Sequence, residues 1–597
     1  MTSQSSFDTA WTRVFVYFLA LVLPPMCAFS LTPSPTQINE LLAVAGWGLC
    51  LVLHQSTPPA GARRHAITTL GAALGVLSLA VVGSWTLGSL PTSLALPPLA
   101  LLLLCCAIAA LGARVAQNAA LPGLPAFAPF AIGLVAVGIL SALVAILQVA
   151  WPELPDGNFI ARSGLPGRAV GNLRQPNHLA SLLIWSVIAL VPLIEWRRVP
   201  RWVGAVIGAL LMLGVVLSGS RTGLYGGALV LLVWGAADRR LSRFTRVLLV
   251  ASILFPLGAY AWQWASTHVA AMPHVVAAAR LSEGDSSHFA IWRNTVAMIA
   301  QQPWLGVGWG EFNFAWTLTP FPGRPVAFFD HTHDLVLQLV VELGIPCALL
   351  VLGLLVWALA QGAVRAWATA GDAGHGARAA WVMIVMIAVH SLDEYPLWYA
   401  YFLLPAAWAW GFTLGSGPAP RPDDQPVLSG VVGGRAAETG TLIRLSSEGA
   451  TLRWTGVLMI AAAALAAWDY TRVSSIFSDE PGLPTLPARI TAGQTSPLFA
   501  HHADYAEATT AEPPSRALGA LERATHSLLD TRLMIAWATA LSESGQPERA
   551  HYLVARLREF RKDDAQEFFA PCNDATIVDK PFQCQPEPKG LNWRDFR

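Results

Sequence analysis

Long apolar runs alternate with short polar breaks along the chain, and the run lengths predict helices that cross a bilayer. Apolar stretches lie near 12–31, 37–54, 66–88, 92–112, 126–150, 178–195, 201–218, 222–237, 246–264, 345–361, 379–391, 396–415 and 453–470. A span needs ~20 residues at ~1.5 Å each, so these stretches predict an all-α polytopic membrane protein with about thirteen transmembrane helices. The opening stretch, Trp11 to Leu31, is too long for a signal-peptide core and shows no convincing cleavage signal, so it is expected to be the first span. Residues 202–234 would form one overlong apolar stretch, except that Ser218-Gly219-Ser220-Arg221-Thr222-Gly223 breaks it into two spans joined by a tight turn.

The longest polar interruption, 265–344, ends in Phe328-Phe329-Asp330-His331-Thr332-His333-Asp334. A short helix is expected from about Asp334 to Leu343, with Asp334, Gln338 and Glu342 at i, i+4 and i+8 forming a polar stripe. Its length of ~15 Å is half a bilayer core. Gly344 and Pro346 then punctuate it before a fresh apolar run, Cys347 to Ala360. The pattern predicts a helix at the membrane surface with the histidines beside the positive end of its dipole.

Arginine placement sets the expected orientation. Arg63 and Arg64, Arg114, Arg197 with Arg198 and Arg201, Arg239 with Arg240, Arg243 and Arg246, and Arg365 with Arg378 fall in alternate loops, which the positive-inside rule makes cytoplasmic. Residues 151–177, 218–222, 265–344, 391–395 and everything after 470 then face outward, and an odd span count starting inside agrees. The expected organisation is N-terminal helices over 1–150, a membrane core over 151–420 and a cytoplasmic Gly/Pro-bearing linker over 421–452. A last span over 453–470 then leads to an outward soluble helical domain over 471–597. In that domain Ser515 to Phe560 reads as an αα-hairpin: Leu518, Leu521 and Leu528, then Leu533, Trp537 and Leu541, a Gly545-Gln546-Pro547 turn, and Ala550, Leu553 and Leu557. It resembles one tetratricopeptide unit, and a single unit cannot close a core alone. Cys572 and Cys584 are placed to form a disulfide in an oxidising compartment.

Composition adds exclusions. Hydrophobic residues make up 54% and charged residues 13%, which rules out an ordinary soluble globule, and a net charge of +1 offers no basic field for nucleic acid. Unusual polar residues gather on the outward side. Gly171-Asn172-Leu173-Arg174-Gln175-Pro176-Asn177-His178 enters a span, and helix capping explains the Asn and Pro but not Arg174, Gln175 and His178 together. Arg221 at bilayer depth would cost ~2.5–3.5 kcal/mol unless it snorkels or meets an anion, which favours anion binding. The 265–333 loop holds Arg280 and Arg293 among tryptophans expected as interfacial anchors, and His390, Asp393, Glu394 and Tyr395 lie between two later spans. Gly306-Val307-Gly308-Trp309-Gly310 is no dinucleotide fingerprint, and His331 and His333 lack further metal ligands, so no metal or cofactor is expected. Outward arginines and imidazoles in an apolar surround suit a reactant that is both lipid and anion, such as a polyprenyl diphosphate sugar.

Three segments carry a resemblance: Trp292-Arg293-Asn294 through Gly310, the Ser-Gly-Ser-Arg-Thr-Gly turn, and His331 through Gly344. They are similar to the O-antigen ligase/polymerase superfamily. Gly171 to His178 with the outward C-terminal domain resembles its protein-glycosylating branch, the PglL-type O-oligosaccharyltransferases. The resemblance implies en bloc transfer of a glycan from undecaprenyl diphosphate to Ser or Thr of periplasmic, pilin-like proteins, by a multi-pass protein of the bacterial inner membrane. It implies that His333 is the essential base, flanked by His331 and by Asp334 where the family has Asn, and that Arg221 binds the diphosphate. Arg174, Gln175, Asn177 and His178 join the expected substrate-binding set. A second family arginine falls at His288 here, leaving Arg280 or Arg293 to serve. Ligation of O-antigen to lipid A core, or O-antigen polymerisation, shares the chemistry and differs in acceptor. A lipid-linked sugar transporter is a third reading, disfavoured because no internal repeat is visible and the polar groups sit at one face.

Overall fold

The computed structural model describes residues 2–54, 66–118, 124–268, 286–418 and 434–597. Among these residues the regular structure is helical, without strands. Each apolar stretch falls on a helix, and among the described residues nine helices are long and apolar enough to cross a membrane. Ala10–Met26, Gln37–Leu53 and Thr222–Ala237 are apolar but shorter, and Ala400–Gly415 has only 16 residues. A difference concerns the expected linker: Gly434–Ser474 is one helix of 41 residues, so 434–452 continues the last apolar stretch rather than breaking before it.

The chain divides into two compact units. The first holds residues 1–74, 103–283 and 354–465. Helix Pro176–Glu195 is its axis, with 94% of its apolar window buried, and it packs on Ala128–Ala150, Arg201–Ser218 and Gly371–His390. Polar groups on this buried helix are closed by backbone acceptors: Ser186 Oγ donates to Leu134 O at 2.7 Å and Trp185 Nε1 to Met383 O at 3.0 Å. Such pairing is required where no water reaches. Elsewhere in the unit, Phe130 stacks on Trp408 at 4.1 Å, with Tyr17, Trp47 and Phe127 around them. Close approach of helices Thr92–Gln117 and Ala400–Gly415 depends on glycine: a Cβ on Gly411 would lie 1.9 Å from Ala109 O, and one on Gly415 2.3 Å from Ala113 O. This is the small-xxx-small packing that brings helix backbones together in membranes. Arg378, expected in a loop, lies within helix Gly371–His390, buried and paired with Asp238 at 2.7 Å. Its three-methylene stem and planar guanidinium make the pair possible inside the bundle.

The second unit holds residues 75–102, 284–353 and 466–597. Here the large loop and the C-terminal helices share one hydrophobic core, in which Phe312, Phe314, Trp316 and Leu318 meet Leu533, Trp537, Leu553 and Phe560. Trp316 is fully buried, so it is a core residue and not the interfacial anchor expected from its neighbours. The expected αα-hairpin is present as Thr531–Glu543 and Pro547–Phe560, joined through Gly545 at φ 75°. Its predicted inner face is buried at Leu521, Leu533, Trp537, Leu541, Ala550, Leu553 and Leu557; Leu518 is half-buried, and Leu528 stays exposed where the chain leaves helical geometry before Asp530 caps the next helix. Asn313 bridges the loop to this domain, accepting from Leu529 N at 2.8 Å and donating to Phe329 O at 2.8 Å. Tyr552 Oη donates to Leu318 O at 2.7 Å. A disulfide joins Cys572 to Cys584.

Gly411→Ala is expected to cost ~1–3 kcal/mol of stability, because the new methyl must push two helix backbones apart. Gly71→Ala, where a Cβ meets nothing within 4 Å, is the matched control and should leave thermal unfolding in detergent unchanged or raised. Equal melting temperatures for the two variants would remove the close-packing account.

Candidate functional site

In the first unit, helix Arg201–Ser218 ends on Gly219 at φ 60°, and the chain resumes through a π-helical turn, Thr222–Gly227. π-turns widen a helix and recur at functional positions. Ser218 Oγ accepts from Ser220 N and Ser220 Oγ accepts from Gly223 N, each at 3.1 Å, so the serines of the motif hold the break. Gly223 and Gly227 let the turn press on the axial helix, where a Cβ would meet Ala180 and Ile184. Arg221, half-buried, opens this π-turn.

The segment after helix Gly371–His390 grips two neighbours with two acids. Asp393 Oδ2 accepts from Thr222 Oγ1, beside Arg221, and Glu394 Oε1 accepts from Asn177 Nδ2 at 2.7 Å. His178 is buried, with Nδ1 3.0 Å from Tyr401 Oη and its ring edge-on to Tyr399 at 4.5 Å. His390 lies 6.2 Å from it between ring centres, with Nδ1 2.7 Å from Ser181 Oγ. Two expected ligand residues have structural work. Gln175 is the N-cap of Pro176–Glu195, accepting from His178 N at 2.9 Å. Arg174 adopts φ 59° and donates to Ala28 O at 2.6 Å and Gly157 O at 3.2 Å, pinning two loops. The capping explanation therefore reaches Gln175, which the sequence pattern had set apart.

In the second unit the histidine stretch forms a tight loop before helix Leu335–Ala368, which breaks at Gly344 (φ 76°, ψ 162°) as Gly344 and Pro346 predict. Asp334 Oδ1 accepts from Leu337 N at 2.8 Å, so aspartate caps this helix. Gln338 and Glu342, two members of the expected polar stripe, are buried. His333 has φ 56°, a left-handed backbone that costs a non-glycine residue ~1–3 kcal/mol and so must be held by its surroundings. Its imidazole stacks on His288 at 4.8 Å and meets the Phe329 ring edge-on at 5.5 Å. Asp330 Oδ2 lies 3.2 Å from His331 Nδ1. Partial desolvation raises that carboxyl, but the attraction of His331 and then His333 outweighs it and leaves Asp330 below the usual carboxylate range. Arg293 is exposed on helix Ser286–Gln301, its guanidinium 3.4 Å from Gly323 O, and Arg280 lies outside the described residues. No three His, Cys, Asp or Glu side chains converge as metal ligands among the described residues. Sequence reasoning missed His288 as the stacking partner, and the signal for it was its i+4 spacing to Trp292 on one helix face.

Residues 204–352, which include Arg221 and His333, match the O-antigen ligase family. Residues 169–193 match the protein glycosylation ligase family, and 378–570 the C-terminal region of a virulence factor membrane-bound polymerase. Over these three segments the chain is similar to the O-antigen ligase and polymerase families and to a protein glycosylation ligase. Two relatives come from Acinetobacter baylyi. A general O-oligosaccharyltransferase is 28% identical over 308 residues, 49% of this chain and 50% of the relative. A ComP-specific O-oligosaccharyltransferase is 25% identical over 284 residues, 46% and 48% respectively. The chain spans about half the length of the curated relatives it matches.

Hydrogen bonding to a charged group contributes ~1.5–3 kcal/mol, so Thr222→Val and Asp393→Asn should each destabilise the protein and their double variant should fall short of the sum by at least ~1 kcal/mol. Strict additivity in detergent melts would show that the two side chains do not depend on each other.

Proposed function

We propose that this chain transfers a preassembled glycan from undecaprenyl diphosphate to Ser or Thr hydroxyls of periplasmic proteins, pilin-like proteins among them. The observation that carries the reading is His333, an imidazole held on left-handed backbone at a helix entrance, within the segment matched by the O-antigen ligase family. The acceptor hydroxyl oxygen attacks the anomeric carbon, the bond from that carbon to the diphosphate breaks, and the hydroxyl proton passes to His333. A neutral imidazole is suited to this at neutral pH. The electron pair of the broken C–O bond leaves with the diphosphate oxygen, which gains one negative charge, and Arg221 is the group assigned to it, since a guanidinium fork matches phosphate oxygens. Arrangement as about thirteen spans in the bacterial inner membrane, with the 265–344 loop and residues after 470 in the periplasm, is supported by the alternation of arginine-rich loops.

O-antigen polymerisation or ligation to lipid A is the second reading, favoured by the match of 378–570 to a membrane-bound polymerase. The acceptor decides between them. Deleting the gene should remove glycan mass from periplasmic proteins in intact-mass spectra while leaving lipopolysaccharide ladders unchanged. The reverse pattern would establish the lipid reading. A truncation after Tyr470 is not a clean test of acceptor choice, because residues 471–597 supply much of the core on which Phe314 and Trp316 of the large loop rest.

His333→Ala should reduce transfer by at least ~10²-fold with donor binding retained, as expected for loss of a general base. Full transfer by a folded His333→Ala protein would remove the assignment. Arg221→Lys should keep part of the donor affinity and Arg221→Ala lose it, because a point charge replaces a bidentate fork. Equal donor affinity in all three proteins would return Arg221 to a role in anchoring its turn.

A further inference from the structure

We propose that Gln338 and Glu342 are positioning residues that set the geometry of His333 through the backbone of Thr332. The inference rests on His333 acting as the base. Thr332 is fully buried, and both of its peptide groups are held. Its N–H donates to Gln338 Oε1 at 2.8 Å, and its C=O accepts from Trp292 Nε1 at 2.9 Å. Its hydroxyl donates to Asp334 O at 2.7 Å. The peptide joining Thr332 to His333 contains that carbonyl, so its plane, and with it the left-handed φ of His333, is fixed from the Trp292 side. The preceding peptide is fixed from the Gln338 side.

A glutamine amide can present either end to a neighbour, and only the oxygen can accept from Thr332 N. Both ends of the amide are held. Thr332 N–H can only donate and so takes the oxygen, and Gln338 Nε2 donates to Glu342 Oε1 at 2.9 Å, which keeps the amide nitrogen toward Glu342. Spacing of i, i+4 puts the two side chains one above the other on the short helix, with both buried. Glu342 is in turn fixed by backbone. Its carbonyl accepts from Gly308 N at 3.0 Å, Val341 O accepts from Val307 N at 2.9 Å, and Ile345 N donates to Pro303 O at 2.8 Å. This pairing requires Gly306 and Gly344, where a Cβ would lie 2.5 Å from Glu342 O and 2.2 Å from Trp304 O. The polar stripe read from the sequence is therefore a relay from a backbone-locked helix end to the peptide beside the imidazole.

The test uses the purified full-length protein in detergent, with a polyprenyl-diphosphate glycan and an acceptor peptide, measuring kcat and donor KM separately beside thermal unfolding. A misplacement of about 1 Å at a reacting group costs ~10²-fold, so Gln338→Leu and Glu342→Ala should each lose about that in kcat with donor KM within about twofold. Glu342→Gln keeps an acceptor for the Gln338 amide and should recover most of the loss. Gln338→Leu with kcat near wild type overturns the proposal, as does a Glu342→Gln protein no better than Glu342→Ala, which would mark a merely structural carboxylate. Should Gln338→Leu fail to fold, Trp292→Phe removes the other bond to Thr332 while keeping an aromatic ring. It should lower kcat about tenfold with unchanged donor KM, and an unchanged kcat overturns the proposal. His333→Ala, assayed alongside, separates the two ideas: transfer that survives it removes the base assignment itself, whatever the relay variants do.

Discussion

Backbone pairing between residues 303–308 and 341–345 is the constraint on which the second unit's candidate chemistry depends. Two short chain segments, neither helical through its full length nor part of a sheet, close their N–H and C=O groups on each other through Val307, Gly308 and Ile345. In a membrane protein an unclosed backbone group is costly, so such pairing confines the chain to one register. From that register follow the break at Gly344, the direction of the helix that Asp334 caps, and the depth at which Gln338 and Glu342 are buried. His333 stands at the far end of this construction, on a backbone conformation that an isolated peptide would seldom adopt.

The first unit solves a related problem with side chains. Its axial helix is enclosed, and each polar group on it that is named above meets a backbone carbonyl, an acid or another ring. Asp393 and Glu394 follow one another in sequence yet hold different elements, Thr222 at the π-turn and Asn177 at the helix entrance. Acids at a membrane edge would ordinarily be candidates for ligand chemistry, and here both are engaged in fixing the segments that carry Arg221 and His178. The buried pair Arg378–Asp238 does similar work in the same unit, joined by Trp234 Nε1 donating to Asp238 Oδ2 at 3.3 Å. Removing either partner would strand a charge in low dielectric, and such a loss typically costs ~3–5 kcal/mol.

Sharing of one core between the large loop and the C-terminal helices changes how the C-terminal domain is understood. A helix pair alone cannot bury its inner face, and here Phe314, Trp316 and Phe329 of the loop cover it. A hydrogen bond between His526 Nδ1 and Glu311 Oε2, 2.8 Å apart and both buried, and the ion pair of Arg324 with Glu559 at 2.9 Å join the same two stretches. The aromatic rings of Trp316 and Phe560 on the Arg324 guanidinium add cation–π contact within a desolvated setting. The loop that carries His333 therefore owes its conformation to residues more than a hundred positions later in the chain.

The sequence by itself determined what depends on local pattern. Apolar run length gave the helices, Gly344 and Pro346 gave the break, Asp334 gave the cap, and the 3.6-residue period of Leu533, Trp537, Leu541, Ala550, Leu553 and Leu557 gave a helix pair with its buried face. It also singled out His333 and Arg221, because ionisable residues at the edge of apolar runs are conspicuous against hydrocarbon. Only the tertiary structure decided which polar residues face water and which face each other. Gln338 and Glu342 read only as part of a polar stripe, because periodicity reports that they share a face and not what covers it. The structural partners of Gln175 and Arg174 were not legible either, because the His178 N–H that donates to Gln175 and the carbonyls of Ala28 and Gly157 that accept from Arg174 are backbone groups that no side-chain pattern encodes. Trp316 read as an interfacial anchor because its covering residues, Phe329 and Phe560, meet it only once the chain has folded back. Local propensity is written in neighbours a few residues apart, whereas burial is set by contacts that the sequence brings together only through the whole fold.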